Sequence, residues 1–311
     1  MTDDAPFAPV PDRVPGPVRG RVETPEPGLR RLLAPNPSPM TERGTNTYIV
    51  GEGRVAVIDP GPDRPEHLAA IRAALASGET VSHILVTHAH RDHSGLAPAL
   101  AQATGAPVLA FGRAEDGRSE LMQRLAAEGL SGGGEGLDRS LTPDRLLSDG
   151  DTVSGDGWTL TALWTPGHAA GHLCFAWGNV VFSGDTVMGW ASTMVSPPDG
   201  DLTAFMASTE RLAARGARVF YPGHGAAIPR PAERCAWLLT HRRDREAAIL
   251  AALDGGGRTP AELTRAVYRD TPAALMPAAE RNVLAHLIDL AQKNRVRAAP
   301  RLSGDARFHP V

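Results

Sequence analysis

The sequence Ser82-His83-Ile84-Leu85-Val86-Thr87-His88-Ala89-His90-Arg91-Asp92-His93 is the most informative stretch of the chain. Its first half has the short apolar character of a buried strand, and its second half follows the pattern His-x-His-x-Asp-His. A helix-like segment from Gly95 to Ala103 comes directly after it. The four metal-capable side chains therefore occupy a turn at the carboxyl end of a strand, where α/β folds usually place their chemistry. The pattern predicts a metal site in an α/β protein.

Three further metal-capable residues each follow a predicted strand: His168 in Thr165-Pro166-Gly167-His168, Asp185 in Ser183-Gly184-Asp185, and His224 in Gly223-His224-Gly225. Zinc rarely takes more than four protein ligands, so a set of seven favours two metal ions. The shortest assignment puts His88, His90 and His168 on one ion and Asp92, His93 and His224 on the other. Asp185 would bridge the two ions, because each oxygen of a carboxylate can hold one of them.

The expected chemistry is metal-assisted hydrolysis. Two dications ~3.5–4 Å apart lower the pKa of a shared water enough to give a bridging hydroxide at neutral pH. Asp92 is the candidate catalytic residue, since it would accept a hydrogen bond from that hydroxide and orient it. Asp59 ligates nothing in this assignment and is expected to fix the tautomer of a ligand histidine. The expected cofactors are two Zn²⁺ ions, with Mn²⁺ or Fe²⁺ as alternatives, because His/Asp sites accept these metals too.

The remaining histidines receive no ligand role. His172 is expected on the next strand as a structural or supporting group. Surface or packing positions are expected for His67, His83, His286 and His309.

The chain divides into three predicted segments: a Pro-rich N-terminal segment (1–35), a catalytic domain (36–230) and a winged-helix-like domain (231–311). Ten of the first 39 residues are proline, which predicts an extended lead-in on the surface or left loose. After residue 231, three helices and a short strand-like tail form the winged-helix pattern. The glycine-rich stretch from Ser131 to Gly136 predicts a flexible loop that could overhang the site.

Charge is unevenly distributed along the chain. Residues 1–229 carry 18 basic and 26 acidic side chains, and residues 230–311 carry 14 and 9, so a net charge of −8 is followed by one of +5. A basic tail on an acidic body is compatible with nucleic-acid contact, and a solvated arginine-rich helix face would give the same balance. His241 with Arg242, Arg243 and Arg245 is interpreted as such a solvated face, with a substrate clamp as the alternative.

Compartment and cysteine use are also predicted. The acidic, Pro-rich N-terminus lacks the positive region of a secretion signal, and no apolar run approaches the ~18 residues of a membrane span. A cytoplasmic protein without membrane contact is expected.

Cys174 and Cys235 do not form a Cys-x-x-Cys pair, which favours two buried thiols over a disulfide.

The motifs around His88, His168, Asp185 and His224, in that order, resemble those of the metallo-β-lactamase superfamily. More narrowly, the chain resembles the β-lactamase-like protein 2 branch of endoribonucleases and its bacterial relatives. The supporting stretches are Asn36 to Thr41, Gly44 to Tyr48, His88 to Gly95, Tyr221 to Gly225, His241 to Glu246 and the winged-helix tail. The resemblance implies an α/β fold, an αββα sandwich with a two-zinc site at one edge of its sheets. The family's ligand set matches the assignment above position for position.

Four functions follow as hypotheses. The leading one is a zinc-dependent phosphodiesterase that cuts single-stranded RNA, with the basic tail following the backbone. The second is a thioesterase or ester hydrolase of the glyoxalase II kind, which would use the same ligands. The third is an oxidoreductase, a persulfide dioxygenase with a single iron, against which the complete second triad argues. In the fourth, the tail is a docking module or forms a homo-oligomer and has no nucleic-acid role.

Overall fold

The computed structural model describes residues 16, 18–132 and 136–311. The first of its two large sheets contains seven strands, which lie side by side in chain order. They are β1 Glu23–Glu26, β2 Leu29–Leu33, β3 Asn46–Val50, β4 Arg54–Ile58, β5 Thr80–Leu85, β6 Val108–Ala110 and β7 Arg145–Leu146. The pairs from β1 to β4 are antiparallel and those from β4 to β7 are parallel. Parallel neighbours need crossover connections, and these contain α1 Pro65–Ala73, α2 Arg91–Ser94, α3 Ala97–Thr104 and α4 Glu120–Ala127.

The second sheet has five strands in the order β12-β11-β10-β9-β8. They are β8 Thr152–Gly155, β9 Trp158–Trp164, β10 Leu173–Trp177, β11 Val180–Gly184 and β12 Val219–Pro222, and α5 Leu202–Ala214 connects the last two. β10 and β11 form a tight hairpin around Gly178 and Asn179, with Trp177 opposite Val180. The ends of β9, β11 and β12 that precede the predicted ligands lie at one edge of this sheet.

The main core lies between the two sheets. Alternate residues of the first sheet, such as Tyr48 and Ile58, pack against residues such as Phe175 and Phe182 of the second. Residues between them in sequence, such as Ile49, face the outer side of the first sheet. The inner faces of the two sheets pack on each other and their outer faces are covered by helices, which explains why strands such as β3 are buried at every position. The predicted αββα sandwich is therefore confirmed.

The C-terminal part contains three helices and a small hairpin. Its elements are α6 Pro231–Leu253, α7 Pro260–Val267, a 3₁₀ turn Ala273–Leu275, α8 Met276–Gln292, β13 Val296–Ala299 and β14 Arg307–Pro310. The first half of α6 packs on the second sheet through Leu238, and its second half enters the C-terminal core through Ile249 and Leu253. One helix thus belongs to both packing units. The winged-helix-like fold is confirmed, while the proposed domain limits stay a prediction.

The N-terminal segment differs in part from its expected extended form. Within the predicted Pro-rich segment 1–35, β1 and β2 extend the first sheet, and Leu29 is fully buried. The side chains of Arg31 and Glu23 form an ion pair across these two strands. The proline content obscured this hairpin, whose strand signal is the short run Leu29-Arg30-Arg31-Leu32-Leu33. Residues 1–15 and 17 of the predicted lead-in lie outside the described residues.

Cys174 and Cys235 are buried and unbridged, as predicted. Burial raises the pKa of both thiols to about 12, so they are unreactive at neutral pH. Among the described helices, none is long and apolar enough to cross a membrane.

Candidate metal centre

The structure brings all seven predicted ligands together at one edge of the sandwich. His88 and His90 follow β5, Asp92 and His93 lie in α2, His168 lies between β9 and β10, Asp185 follows β11 and His224 follows β12. Six of them are buried and Asp92 is partly exposed. Three groups within this set have ligand atoms close enough to share one ion: His88, His90 and His168; His88, His93 and Asp185; and Asp92, His93 and His224.

The first predicted triad is compact. Nδ1 of His90 lies 2.9 Å from Nε2 of His88 and 3.2 Å from Nε2 of His168. Two nitrogen ligands of a tetrahedral zinc ion, each about 2.05 Å from the metal, are separated by about 3.3 Å. The spacing therefore suits one small cation bound by these three nitrogens.

The second predicted triad has similar spacing. Nε2 of His93 and Nε2 of His224 are 3.2 Å apart. One carboxylate oxygen of Asp92 lies 3.2 Å from Nε2 of His224 and 3.5 Å from that of His93.

Asp185 lies between the two triads. Its Oδ2 atom is 3.3 Å from Nε2 of His224 and 3.8 Å from Nε2 of His168, which belong to different triads. Its Oδ1 atom is buried and has no hydrogen-bond partner among the described residues. A buried carboxylate oxygen without a donor is costly, and a cation would satisfy it. Gly223 permits this arrangement, because a Cβ atom at that position would lie 2.4 Å from Oδ1.

Asp59 holds two of the ligand histidines in one tautomer. Nδ1 of His93 donates to Oδ2 of Asp59 at 2.9 Å. The same carboxylate accepts from the backbone N–H of Thr87 at 2.8 Å and from its hydroxyl at 2.9 Å. Since the hydrogen of that hydroxyl is used in the bond to Asp59, its oxygen accepts a hydrogen bond from Nδ1 of His88 at 2.9 Å. Thr87 thus connects Asp59 to the ligand His88, a role that was not predicted from the sequence.

Main-chain carbonyls orient two more ligands. Nδ1 of His168 donates to the carbonyl of Met194 at 2.7 Å, and Nδ1 of His224 donates to that of Gly44 at 3.1 Å. With Nδ1 carrying the proton, a neutral imidazole presents the lone pair of Nε2. The converging nitrogens therefore fit metal ligation.

The two halves of the centre differ in their electrostatics. Burial and the neighbouring histidines hold the pKa of His88 well below its usual value, and burial and His168 lower that of His90 to about 3. Burial opposes protonation of His224 as well, but the carboxylates of Asp185 and Asp92 outweigh it and raise its pKa to about 9. Burial of His93 is likewise outweighed by Asp92, Asp185 and Asp59, which raise its pKa well above the usual range. In the metal-free protein, the positive charges of protonated His93 and His224 thus compensate the negative charges of the carboxylates, as a metal ion would.

His172 supports the bridging carboxylate. It is fully buried and directly precedes β10. Its Nε2 atom accepts a hydrogen bond from the backbone N–H of Asp185 at 3.1 Å. Burial holds its pKa well below the usual value, so the ring remains neutral and can accept this bond.

The arginines of α6 are not all on a solvated face. Arg243 is exposed and pairs with Glu210, but Arg242 is 2 % exposed. Its guanidinium donates to the carbonyls of Ser192 and Thr193 in the loop after β11. The expectation of a solvated face is therefore wrong for Arg242, because this position turns towards the catalytic domain.

The centre opens into a cavity of about 280 Å³. Besides five of the predicted ligands, its lining consists of Met40, Met188, Met194, Ala274, Pro277, Ala278 and Arg281. Ser131, at the start of the glycine-rich segment, accepts a hydrogen bond from Arg281 at 3.0 Å through its carbonyl. Residues 133–135 of the predicted overhanging loop lie outside the described residues.

The family profile for the metallo-β-lactamase superfamily matches residues 40–224. The chain belongs to the metallo-β-lactamase superfamily. A second profile, for the β-lactamase associated winged helix domain, matches residues 259–304. The superfamily assignment identifies the chain as a hydrolase, and the His/Asp cluster makes a metal-dependent mechanism the natural one.

Similar proteins are found among curated sequences and solved structures. A β-lactamase-like protein 2 homolog from Caenorhabditis elegans is 31% identical over 265 residues, which cover 82% of this chain and 81% of that protein. An atrochrysone carboxyl ACP thioesterase from Aspergillus fumigatus is 32% identical over 270 residues, covering 81% and 77%. The crystal structure of a metallo-β-lactamase family protein from Thermus thermophilus superposes with a TM-score of 0.74 at 28% identity, covering 93% of this chain and all of that one.

Proposed function

We propose that this superfamily member hydrolyses a thioester or ester whose acyl group is apolar, using two zinc ions. One ion would be held by His88, His90 and His168, the other by Asp92, His93 and His224. Asp185 would bridge them. The observation that carries the proposal is the lining of the cavity: three methionines, Ala274, Pro277 and Ala278 surround the ligands, with Arg281 as the one cation among the described lining residues.

The chemistry follows from the positions of the side chains. When bound, the metals would polarise the substrate carbonyl and lower the pKa of water. Asp92, whose side chain is 27% exposed, accepts a hydrogen bond from the attacking water and orients it towards the carbonyl carbon. A C–O bond forms, the C–S or C–O bond to the leaving group breaks, and the leaving group takes up a proton.

The apolar lining supports acyl over phosphoryl chemistry. An acyl group gains free energy when apolar side chains remove it from water, whereas a phosphodiester backbone needs several cations along its path. A thioesterase among the similar proteins points the same way.

Hydrolysis of acyl thioesters of N-acetylcysteamine by the zinc-loaded protein tests the proposal, with thiol release as the readout. Asp92→Asn serves as the matched control because it keeps the size of the side chain and removes its charge. Release by the parent and loss of several orders of magnitude in the variant are expected. Equal release by both proteins would remove Asp92 from the mechanism.

Cleavage of single-stranded RNA is the second candidate function. It is favoured by the positive C-terminal part, where Arg265, Arg269, Arg295, Arg297 and Arg301 are exposed. A labelled single-stranded RNA incubated with the parent and with Asp92→Asn decides this case. Cutting by the parent alone would establish a ribonuclease, and a basic surface would then guide the strand to the centre.

Metal analysis and gel filtration test the two remaining hypotheses, the persulfide dioxygenase and the oligomer-forming tail. Two zinc ions per chain are expected, and a single iron would support the persulfide dioxygenase. Gel filtration of the full chain and of a chain lacking residues 255–311 tests whether the tail forms a homo-oligomer. In that case the truncation would change the oligomeric state and leave turnover of a small substrate intact.

A further inference from the structure

We propose that a crevice beside the metal centre receives the apolar end of the substrate's acyl group; this inference rests on the proposed function. The crevice lies between the loop of residues 188–194 and the C-terminal helices, and has about 90 Å³ of free space. Its walls on the C-terminal side come from α6, the end of α7, the 3₁₀ turn and α8. We name it the acyl crevice and define it by Trp190, His241, Tyr268, Leu275 and Ala279.

The acyl crevice adjoins the cavity above the metal ligands. Four residues line both spaces: Met40, Met188, Met194 and Ala278. A substrate whose carbonyl lies at the metal ligands therefore has its acyl chain beside these methionines. Met is flexible and polarisable, which suits a passage that must adapt to a ligand.

The walls of the acyl crevice are uncharged. Among the described residues that line it, none is an Asp, Glu, Lys or Arg. Burial and the nearby arginines lower the pKa of His241 to about 3, so its ring is neutral at physiological pH. Asn282 uses its side-chain oxygen to accept from Arg242 at 2.9 Å and from the backbone N–H of Val195 at 3.1 Å. Transfer from water to such walls is most favourable in free energy for an apolar group, whereas an ionised group would lose its hydration without compensation.

The volume limits the occupant to a short alkyl group. A dry apolar cavity of about 150 Å³ admits a benzene ring, and the acyl crevice is smaller than that. A nucleobase is larger than benzene and has a polar edge, so the crevice does not suit RNA. The C-terminal helices would then select the acyl group, which gives them a role that does not involve nucleic acid.

A chain-length series tests the inference. The zinc-loaded parent is given acetyl, propanoyl, butanoyl, pentanoyl and hexanoyl thioesters of N-acetylcysteamine. In the parent, kcat/KM is expected to rise about fourfold per methylene up to the capacity of the crevice. Leu275→Trp fills the crevice and should abolish this rise, whereas Leu275→Ala should extend it to longer chains. Ala273→Leu is the matched control, because Ala273 lies exposed on the same 3₁₀ turn and lines neither space.

Two outcomes separate the crevice from the proposed function. If the parent releases thiol but Leu275→Trp and Leu275→Ala both keep the parental chain-length profile, the crevice inference is overturned and the proposed function stands. If no thioester is cut, binding of acetate, propanoate and butanoate to the zinc-loaded protein is measured by calorimetry. Affinity that rises with chain length in the parent and stays flat in Leu275→Trp would support the crevice while the proposed function fails. Affinity independent of chain length in the parent would overturn the crevice as well.

Discussion

The guanidinium of Arg242 donates a hydrogen bond of 3.0 Å to the main-chain carbonyl of Ser192. This contact connects the long C-terminal helix to the loop that supports two predicted ligands. Two residues further along that loop, the carbonyl of Met194 accepts from His168. The hydroxyl of Thr193 donates to the carbonyl of Asp185 at 3.0 Å. The C-terminal part of the chain therefore helps to position the metal centre.

Replacing Arg242 by Met should weaken metal binding. The carbonyls of Ser192 and Thr193 would lose their donor, so the loop would no longer hold His168 in one orientation. Loss of a supporting contact of this kind lowers metal affinity by about 10- to 100-fold. Competition with a chromophoric zinc chelator measures this, and Arg243→Met is the control, since Arg243 is exposed on the same helix. Parental zinc affinity in Arg242→Met would show that the loop holds its conformation unaided.

Replacing Asp59 by Asn should weaken zinc binding without unfolding the metal-free protein. The variant keeps the shape, and Asn tolerates the positive φ of 50° at this position. The two carboxylate oxygens of Asp59 accept hydrogen bonds from His93 and from Thr87, whereas the amide of asparagine has only one oxygen that can accept. His93 therefore loses its fixed orientation. A loss of about 10- to 100-fold in zinc affinity is expected, with the thermal unfolding of the metal-free form as the control. An unchanged affinity would exclude Asp59 as an orienting group.

Replacing Asp185 by Ala should lower the metal content towards one ion or none. The carboxylate lies between the triads and leaves Oδ1 without a donor, so its removal takes away the group assigned to both ions. Atomic emission analysis of protein dialysed against zinc gives the stoichiometry. Asp185→Asn keeps the volume and separates loss of charge from loss of packing. A variant that keeps two zinc ions would refute the bridging assignment.

The metal-free protein should lose stability as the pH rises from about 7 to 8.5. The pKa of His224 is raised to about 9 and that of His93 is also raised, so the folded state keeps protons that the unfolded chain, with a histidine pKa near 6.5, releases. Protonation of these histidines in the folded state therefore adds to the free energy of unfolding. This contribution is complete below about pH 6.5 and is lost as the pH approaches 9. One such histidine accounts for about 1.4 kcal/mol per pH unit.

Urea unfolding at several pH values measures this slope. In the zinc-loaded protein the metal replaces both protons, so the slope should be smaller, and zinc uptake at pH 7.5 should release protons into the buffer. A metal-free protein whose stability is constant over this range would contradict the proposed charge balance.

Local spacing made the metal centre predictable. Four of the seven converging side chains lie within six residues, from His88 to His93, and the other three lie one to four residues beyond the end of a strand. Carboxyl ends of parallel strands lie at the same edge of a sheet, so residues distant in sequence were expected to converge there. The C-terminal helices were predictable for a similar reason, because hydrophobic periodicity and turn residues act over a few positions. The sandwich was expected only from the resemblance to the metallo-β-lactamase superfamily.

Other features were decided by tertiary structure. A proline-rich composition concealed β1 and β2, since β2 is stabilised by pairing with β3 and by burying Leu29, and β1 by pairing with β2. The direction in which Arg242 points depends on what packs against α6, and the charge pattern of one helix does not contain that information. The cavity lining comes from Met40 in one loop, from Met188 and Met194 in another, and from Ala278 on α8. Local sequence determined which residues can bind a metal, because ligand chemistry and strand ends are local properties; the apolar space beside them arises only when distant segments pack together.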